Sequence, residues 1–319
     1  MPIIDSKFRP AYGLSNGHVQ TIIPALLPIR RPSGIRRERF MLSDSDYLDL
    51  DWLMKGSPRL AILSHGLEGS SEAVYIYRMM RHLSANGWDV LAWNFRGCSG
   101  ELNLLPRSYH SGESADLREV IDHAALQYKS VALIGFSLGG NITLKYLGEQ
   151  TPHPSVRVAI AVSAPVDLAS SAQALDQQAG NRLYLRRFIR SLTTKIENKA
   201  SKFPAEFDLQ GLHHIKTFYE FDNRYTAPLH GFMDAEDYWA KASSLPLLAN
   251  ISVPALLLNC RNDPFLSPAC FPQDGILNNL LFSVEYPDSG GHLGFIDKQL
   301  KLNWLPKRVL AFMEDQLQG

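Results

Sequence analysis

The fold is decided by residues 131–147, which read VALIGFSLGGNITLKYL. Four apolar residues at 131–134 predict a buried strand, and the spaced apolar residues after position 138 predict a helix. Between them lies a Gly-x-Ser-x-Gly pattern at 135–139. In a strand–turn–helix setting this pattern holds its serine in a strained backbone conformation, with the hydroxyl exposed at the end of the sheet. Ser137 is therefore predicted to be a nucleophile; the alternative is that it only caps the first turn of the helix.

Composition and charge limit the kinds of protein this chain can be. Its 319 residues are 45% hydrophobic and 20% charged, which is ordinary for a globular α/β domain that carries an insertion. Lys plus Arg and Asp plus Glu each number 32, and this zero net charge argues against a nucleic-acid-binding protein. The first residues lack the apolar core of a signal peptide, and no apolar run is long enough to span a membrane. The cysteines lack the spacing of a disulfide framework or a zinc site, so we predict a cytoplasmic protein; they are Cys98, Cys260 and Cys270.

Predicted strands and helices alternate along most of the chain. This alternation predicts an α/β fold with a mostly parallel central sheet flanked by helices. Two earlier strands are predicted to form an antiparallel pair, and the proline-rich first 35 residues are predicted to be an extended arm with one short helix. The predicted buried strands are 60–64, 88–93, 131–134, 156–163, 253–260 and 282–286, the antiparallel pair is 37–42 and 48–52, and the helices before the serine turn are 73–86 and 116–128.

Residues 168–245 interrupt this alternation, because helical patterns dominate there and no convincing strand occurs. We predict a helical cap inserted between two strands, with an arm at 1–35 and a core made of 36–167 and 246–319. One predicted cap helix has an apolar stripe that includes Leu185 and Ile196, surrounded by arginines and lysines. A solvated outer face of the cap explains this pattern. A basic amphipathic helix is also typical of proteins that lie on anionic membranes, so transient membrane contact through the cap stays open.

Two further polar residues follow predicted strands of the sheet. Asp263 comes after the strand at 253–260, and Pro264 biases it away from helical geometry. His292 comes after the strand at 282–286, behind two glycines. The carboxyl ends of parallel strands meet at one edge, so both side chains are expected near Ser137. Each alone is explained as a loop residue, but the order Ser, Asp, His predicts a catalytic triad.

The loop HGLEGS at 65–70 follows the strand at 60–64 and is expected at the same edge. In hydrolases with this triad order, one N–H of this loop and the N–H after the nucleophile form the oxyanion hole. The predicted donors are the backbone N–H groups of Leu67 and Leu138; the alternative is that the loop is a plain turn. Arg96, in a glycine-rich loop, is predicted to tie loops together rather than to bind an anionic substrate.

With the serine turn, the loop at 65–70, Asp263 and His292 in these positions, the chain resembles the α/β hydrolases over nearly its whole length. More closely it resembles the bacterial YheT-like hydrolases, relatives of the eukaryotic ABHD lipases and esterases. The resemblance implies carboxylic-ester hydrolase activity, with Ser137, Asp263 and His292 as the charge relay. The closer likeness rests on GLSNGHVQT at 13–21, NFRG at 94–97, RSYHSG at 107–112 and FDNRYTAP at 221–228.

The residues and the resemblance together predict a serine hydrolase that cleaves small carboxylic esters, including acylglycerols and other lipid-like esters, through an acyl-enzyme. Its mechanism needs no metal and no organic cofactor. Two alternatives stay open: an acyltransferase or thioesterase that uses the same triad, and a catalytically silent module that only binds. The sequence leaves the physiological substrate, the acyl-chain length and the oligomeric state undetermined.

Overall fold

The computed structural model describes residues 1–273 and 278–318, and within them nine strands form one sheet. All neighbouring strands are parallel except at one end, where β3 runs antiparallel to both β2 and β5. The order across the sheet is β1-β9-β8-β7-β6-β4-β5-β3-β2. The strands are β1 (Ile3–Ile4), β2 (Arg36–Met41), β3 (Tyr47–Leu53), β4 (Arg59–Ser64), β5 (Asp89–Trp93), β6 (Ser130–Phe136), β7 (Val156–Val162), β8 (Ala255–Leu258) and β9 (Phe282–Glu285). The predicted mostly parallel sheet is confirmed.

Helices cover both faces of the sheet, because side chains along each buried strand point alternately to opposite faces. In β6, Val131 and Leu133 pack with apolar side chains of α3 and α4, whereas Ala132 and Ile134 pack with those of α2 and α10. The helices are α1 (Gly17–Leu26), α2 (Val74–Ala85), α3 (Ser114–Ala125), α4 (Leu138–Glu149), α5 (Leu168–Gln177), α6 (Arg182–Lys202), α7 (Phe218–Phe221), α8 (Ala227–Leu229), α9 (Ala235–Ala242) and α10 (Trp304–Gln318).

The segment predicted as a cap, residues 168–245, contains α5 to α9 and no strand of the sheet. Apolar side chains of these helices form a cluster of their own. Leu67, from the loop after β4, packs against this cluster. The segment therefore lies over the loop that carries one of the predicted oxyanion donors.

The first 35 residues include more structure than the predicted single helix. Ile3 and Ile4 form β1 and pair in parallel with β9 at the edge of the sheet. A strand of two residues is too short to show an apolar period, so the sequence pattern could not reveal it.

Arg96 ties loops together, as the sequence analysis predicts. Its guanidinium is 1% exposed and forms ion pairs with three carboxylates, those of Asp44, Asp46 and Asp116, at 2.7–2.9 Å. A planar guanidinium suits this role because its donors are fixed in a fork. Arg96 is therefore fully engaged in holding the loops beside the sheet edge.

Candidate active site

The turn between β6 and α4 places Ser137 at the carboxyl edge of the sheet. Its backbone has φ 54° and ψ −122°, a conformation that residues with a Cβ rarely adopt. The flanking glycines allow the helix to cross close behind the strand. A Cβ at Gly135 would lie 2.2 Å from the Gly139 carbonyl oxygen, and a Cβ at Gly139 would lie 2.4 Å from the His65 carbonyl oxygen. The strained turn, expected of a nucleophile, is present at Ser137.

Asp263 and His292, from the loops after β8 and β9, meet in a hydrogen bond. His292 Nδ1 lies 2.8 Å from Asp263 Oδ2, and the Asp263 side chain is fully buried. The other carboxylate oxygen accepts from the Phe265 N–H at 2.9 Å. The neighbouring acid, Asp288, is 94% exposed and faces Arg261 instead. Because Nδ1 donates to the carboxylate, Nε2 of His292 is left free to accept a proton.

Ser137 and His292 line the same two cavities, and side chains of the segment 168–245 line both of them. The Ser137 hydroxyl makes no hydrogen bond to any residue that the structure describes. In enzymes without bound substrate, such contacts are often long and tighten only in the complex. The three residues predicted as a triad are therefore gathered at one edge of the sheet.

Helix α1 holds the histidine loop in place, a role that the sequence analysis missed. The His292 N–H donates to Thr21 Oγ1 at 2.9 Å. The Gln20 side chain is fully buried and accepts from the Ile296 N–H at 2.7 Å. Asn262, beside Asp263, donates to the Ser15 carbonyl oxygen at 2.7 Å. These contacts give a physical reason for the GLSNGHVQT string at 13–21. In the sequence, only the polar residues of this string could have indicated that it contacts the histidine loop.

The orientation of the Leu67 N–H is set by His65. His65 Nε2 accepts from the Phe95 N–H at 3.1 Å, so its proton is on Nδ1, which donates to the Gly66 carbonyl oxygen at 2.8 Å. Burial lowers the pKa of His65 to about 4, which keeps the ring neutral in this role. In a trans peptide the N–H points opposite to the carbonyl, so fixing the Gly66 carbonyl also fixes the Leu67 N–H.

The loop that carries Leu67 lies directly against the serine turn. A Cβ at Gly66 would come within 3.1 Å of Ser137 Cβ. The second predicted donor, Leu138, is the first residue of α4, where backbone N–H groups lack helical partners and the helix dipole favours negative charge. Both predicted donors therefore lie beside Ser137, as an oxyanion hole requires.

Two neighbouring cavities lie beneath the segment 168–245, and Ser137 lines one of them. The first, which we call the inner chamber, is lined by Ser137 and His292 together with apolar side chains that include Leu168 and Phe188. The second, which we call the far chamber, is lined mainly by side chains of the same segment. The two share Leu67, Ser111, Phe218 and Asp222.

Asp222 places a carboxyl at the junction of these chambers. Burial raises the pKa of Asp222 to about 6, although Thr226 and Trp239 donate hydrogen bonds to it. Apart from this acid, the walls of the inner chamber are mostly apolar, so the space suits a hydrocarbon chain. In the residues described, no group of three or more His, Cys, Asp or Glu side chains is arranged to hold a metal ion.

A third cavity, which we call the groove, leads from Ser137 and His292 to the outside. Ile22, Ala25 and Leu26 of α1 form one wall, and Tyr184 and Arg187 of α6 form another. The groove therefore lies between α1 and α6 and reaches Ser137 and His292.

The fold and this site define the class of protein. Residues 62–299 match the sequence pattern of the alpha/beta hydrolase fold family, so the chain belongs to that family. Within it, the chain is a YheT-like hydrolase: it is 32% identical to the protein named YheT from Escherichia coli (strain K12), an esterase by name, over 98% of this chain and 95% of that protein. It is also 28% identical to phospholipase ABHD3 of Homo sapiens, over 93% of this chain and 75% of the relative.

Solved structures agree on the fold. The esterase Pf2001 of Pyrococcus furiosus superposes with a TM-score of 0.58 at 18% sequence identity, over 92% of this chain and 98% of the esterase. The predicted fold class and the predicted family are both confirmed.

Proposed function

We propose that this protein is a serine hydrolase that cleaves carboxylic esters through an acyl-enzyme intermediate. The observation that carries the proposal is the Asp263–His292 hydrogen bond beside a serine held at φ 54°. The names of the relatives, an esterase and a phospholipase, support the same chemistry. A catalytically silent module has no need of a strained serine next to such a pair.

The proposed steps follow from the geometry. Ser137 Oγ attacks the ester carbonyl while His292 Nε2 takes its proton, and His292 then protonates the departing alcohol. Asp263 keeps the imidazole in the required tautomer and stabilises its charged form. The N–H groups of Leu67 and Leu138 stabilise the oxyanion that forms on the carbonyl oxygen. Water, activated by His292, then releases the acid and restores Ser137.

The two chambers support a lipid-like acyl group. We propose that the residues 168–245 act as a cap and that the acyl chain enters the inner chamber, past Leu67 and Phe218, toward the far chamber. The alcohol part of the ester would then occupy the groove. This arrangement separates a hydrocarbon chain from a more polar leaving group, as an acylglycerol or a phospholipid requires.

The rim of the groove supports contact with an anionic membrane surface. Exposed apolar side chains of α1 border it, and three arginines of α6, Arg186, Arg187 and Arg190, surround a cleft that shares Arg187 with the groove. None of the three forms an ion pair with a carboxylate in the described residues. Apolar and cationic side chains around the mouth of a lipid-binding site match a surface of anionic headgroups. No helix in the described residues has the length and hydropathy to cross a bilayer.

Covalent labelling tests the nucleophile. A fluorophosphonate probe is expected to modify Ser137 alone and to leave Ser137→Ala unlabelled, which intact-protein mass spectrometry would measure. The matched control is Ser163→Ala, because Ser163 also has a positive φ of 51° at the end of β7. Full labelling of Ser137→Ala, or loss of labelling only in Ser163→Ala, would contradict the assignment. Adding alcohols or thiols to an ester assay would then distinguish hydrolysis from acyl transfer.

A further inference from the structure

A buried carboxylate lies next to the proposed oxyanion donor. Glu68 directly follows Leu67, and its side chain is only 8% exposed. Its backbone has φ 52°, in the left-handed region, which a residue with a Cβ keeps only where its surroundings hold it. The proposed reaction does not use this carboxylate, so its burial requires another explanation.

Three side chains hold the Glu68 carboxylate. Lys195 Nζ and Tyr109 Oη donate to Oε1 at 2.6 and 2.7 Å, and Ser191 Oγ donates to Oε2 at 2.6 Å. The Tyr109 hydroxyl also accepts from the Glu68 N–H at 2.9 Å. Lys195 and Ser191 belong to α6, whereas Tyr109 belongs to the loop before α3. One carboxylate therefore joins helix α6 to the peptide that follows the oxyanion donor.

The charges in this cluster are balanced. Burial raises the pKa of Glu68, but the charge of Lys195 and hydrogen bonds from Lys195, Ser191 and Tyr109 outweigh it and leave the pKa below its usual value. The carboxylate is therefore ionised and paired. An unpaired negative charge at this place would repel the oxyanion that the neighbouring N–H must stabilise.

We propose that Glu68 is a positioning residue through which helix α6 holds the Leu67 N–H in the oxyanion hole. His65 fixes the peptide before Leu67, and Glu68 with Tyr109 fixes the peptide after it. The donor is thus aligned only while α6 sits on the core, which couples the closure of the cap to catalysis. This inference rests on the proposed role of Ser137 as nucleophile.

Substitutions of the pair test this coupling on a short, soluble ester. Glu68→Gln keeps the size of the side chain and loses the ion pair, so we expect kcat to fall ~10-fold with KM nearly unchanged, less than the ~10²–10³-fold cost of deleting an oxyanion donor. Lys195→Met leaves the carboxylate buried and unpaired and should lower kcat further, by ~10²-fold. The double variant E68Q/K195M is expected to recover to the level of E68Q.

The pH dependence of the activity distinguishes the proposed role from a merely structural one, because only the proposed role predicts the direction of the change with pH. Without Lys195 the pKa of Glu68 rises, because the other titratable groups that face the pair, Tyr109, Cys98 and His65, are neutral. Acidification then neutralises the carboxylate. The activity of K195M relative to wild type should therefore increase as the pH falls, whereas the same ratio for E68Q/K195M should stay flat. Ser191→Ala, which removes only the Oε2 contact, is a milder variant that should lower kcat ~3-fold by weakening one hydrogen bond.

A boronic acid forms an adduct with Ser137 that places an oxygen in the oxyanion hole. We therefore expect the affinity for the boronic acid to fall in each variant in proportion to the fall in its kcat. The control is Lys199→Met, because Lys199 is another buried lysine of α6 but donates to the carbonyls of Asn103 and Leu105 rather than to Glu68. It should lose stability and keep kcat. Wild-type kcat and boronic acid affinity in E68Q, or an equal loss of kcat in K199M, would overturn the proposal. A wild-type protein that the fluorophosphonate fails to label would instead overturn the nucleophile.

Discussion

At the scale of single residues, Asp263 decides which nitrogen of His292 carries the proton. In Asp263→Asn the amide can present an N–H where Nδ1 needs an acceptor, which favours the wrong tautomer. In the serine proteases such a change lowers kcat about 10⁴-fold, and we expect a loss of ~10²–10⁴-fold here. The measurement is kcat/KM on a soluble ester at neutral pH. Because Asp288 is exposed and faces Arg261, the activity of Asp288→Asn should stay near that of the wild type. If Asp288→Asn loses activity and Asp263→Asn keeps it, Asp263 is not the acid of the triad.

Thr21 offers a residue-scale test of the arm. Thr21→Val keeps the shape of the side chain but removes the acceptor of the His292 N–H. A hydrogen bond of this kind is worth about 1 kcal/mol, so we expect kcat to fall ~5-fold while KM changes little. Thr194→Val on α6, an exposed position, is the matched control. An unchanged kcat in Thr21→Val would show that α1 only packs against the histidine loop.

At the scale of elements, the sequence predicts the strands, turns and helices that form between residues close together along the chain. The strand, turn and helix around Ser137 are encoded within 131–147, and the strands that carry Asp263 and His292 follow from their own apolar runs. Contacts between distant segments leave no such pattern. Neither the link from Thr21 to His292 nor the one from Lys195 to Glu68 could be predicted, because each joins residues more than 100 positions apart and forms only when the chain is folded.

The far chamber sets the expected preference for acyl-chain length. Each CH₂ that it buries contributes about 0.8 kcal/mol, so kcat/KM should rise up to roughly fourfold per carbon until the chambers are full. Ile196→Trp places a larger side chain in the far chamber and should abolish the rise for long chains while leaving acetate and butyrate esters unaffected. A series of nitrophenyl esters measures this, with the exposed position Leu183→Trp as control. A flat response in the wild-type protein would contradict an enclosing acyl site.

At the scale of the whole molecule, a net charge of zero conceals an uneven distribution. Carboxylates pair with Arg96 in the loops beside β5, whereas the arginines on the outer side of α6 have no such partners among the described residues. Ile22 and Leu26 of α1, which line the groove, are 41% and 74% exposed. Because an arginine near an anionic surface contributes about 1 kcal/mol, this side of the molecule is the one expected to face a membrane.

Vesicle binding tests that orientation without requiring any catalysis. Wild-type protein should sediment with phosphatidylglycerol vesicles and much less with phosphatidylcholine vesicles, and added salt should release it, since exposed charges are screened. The double variant that combines Arg186→Gln and Arg190→Gln should bind phosphatidylglycerol vesicles roughly 30-fold more weakly, because about 2 kcal/mol of electrostatic attraction is lost. Neither residue lines the groove, so hydrolysis of a soluble ester should not change. Arg36→Gln, an exposed arginine of β2, is the matched control for charge. Equal binding to both kinds of vesicle, or an equal effect of Arg36→Gln, would contradict a docking surface at the groove while leaving the proposed ester hydrolysis intact.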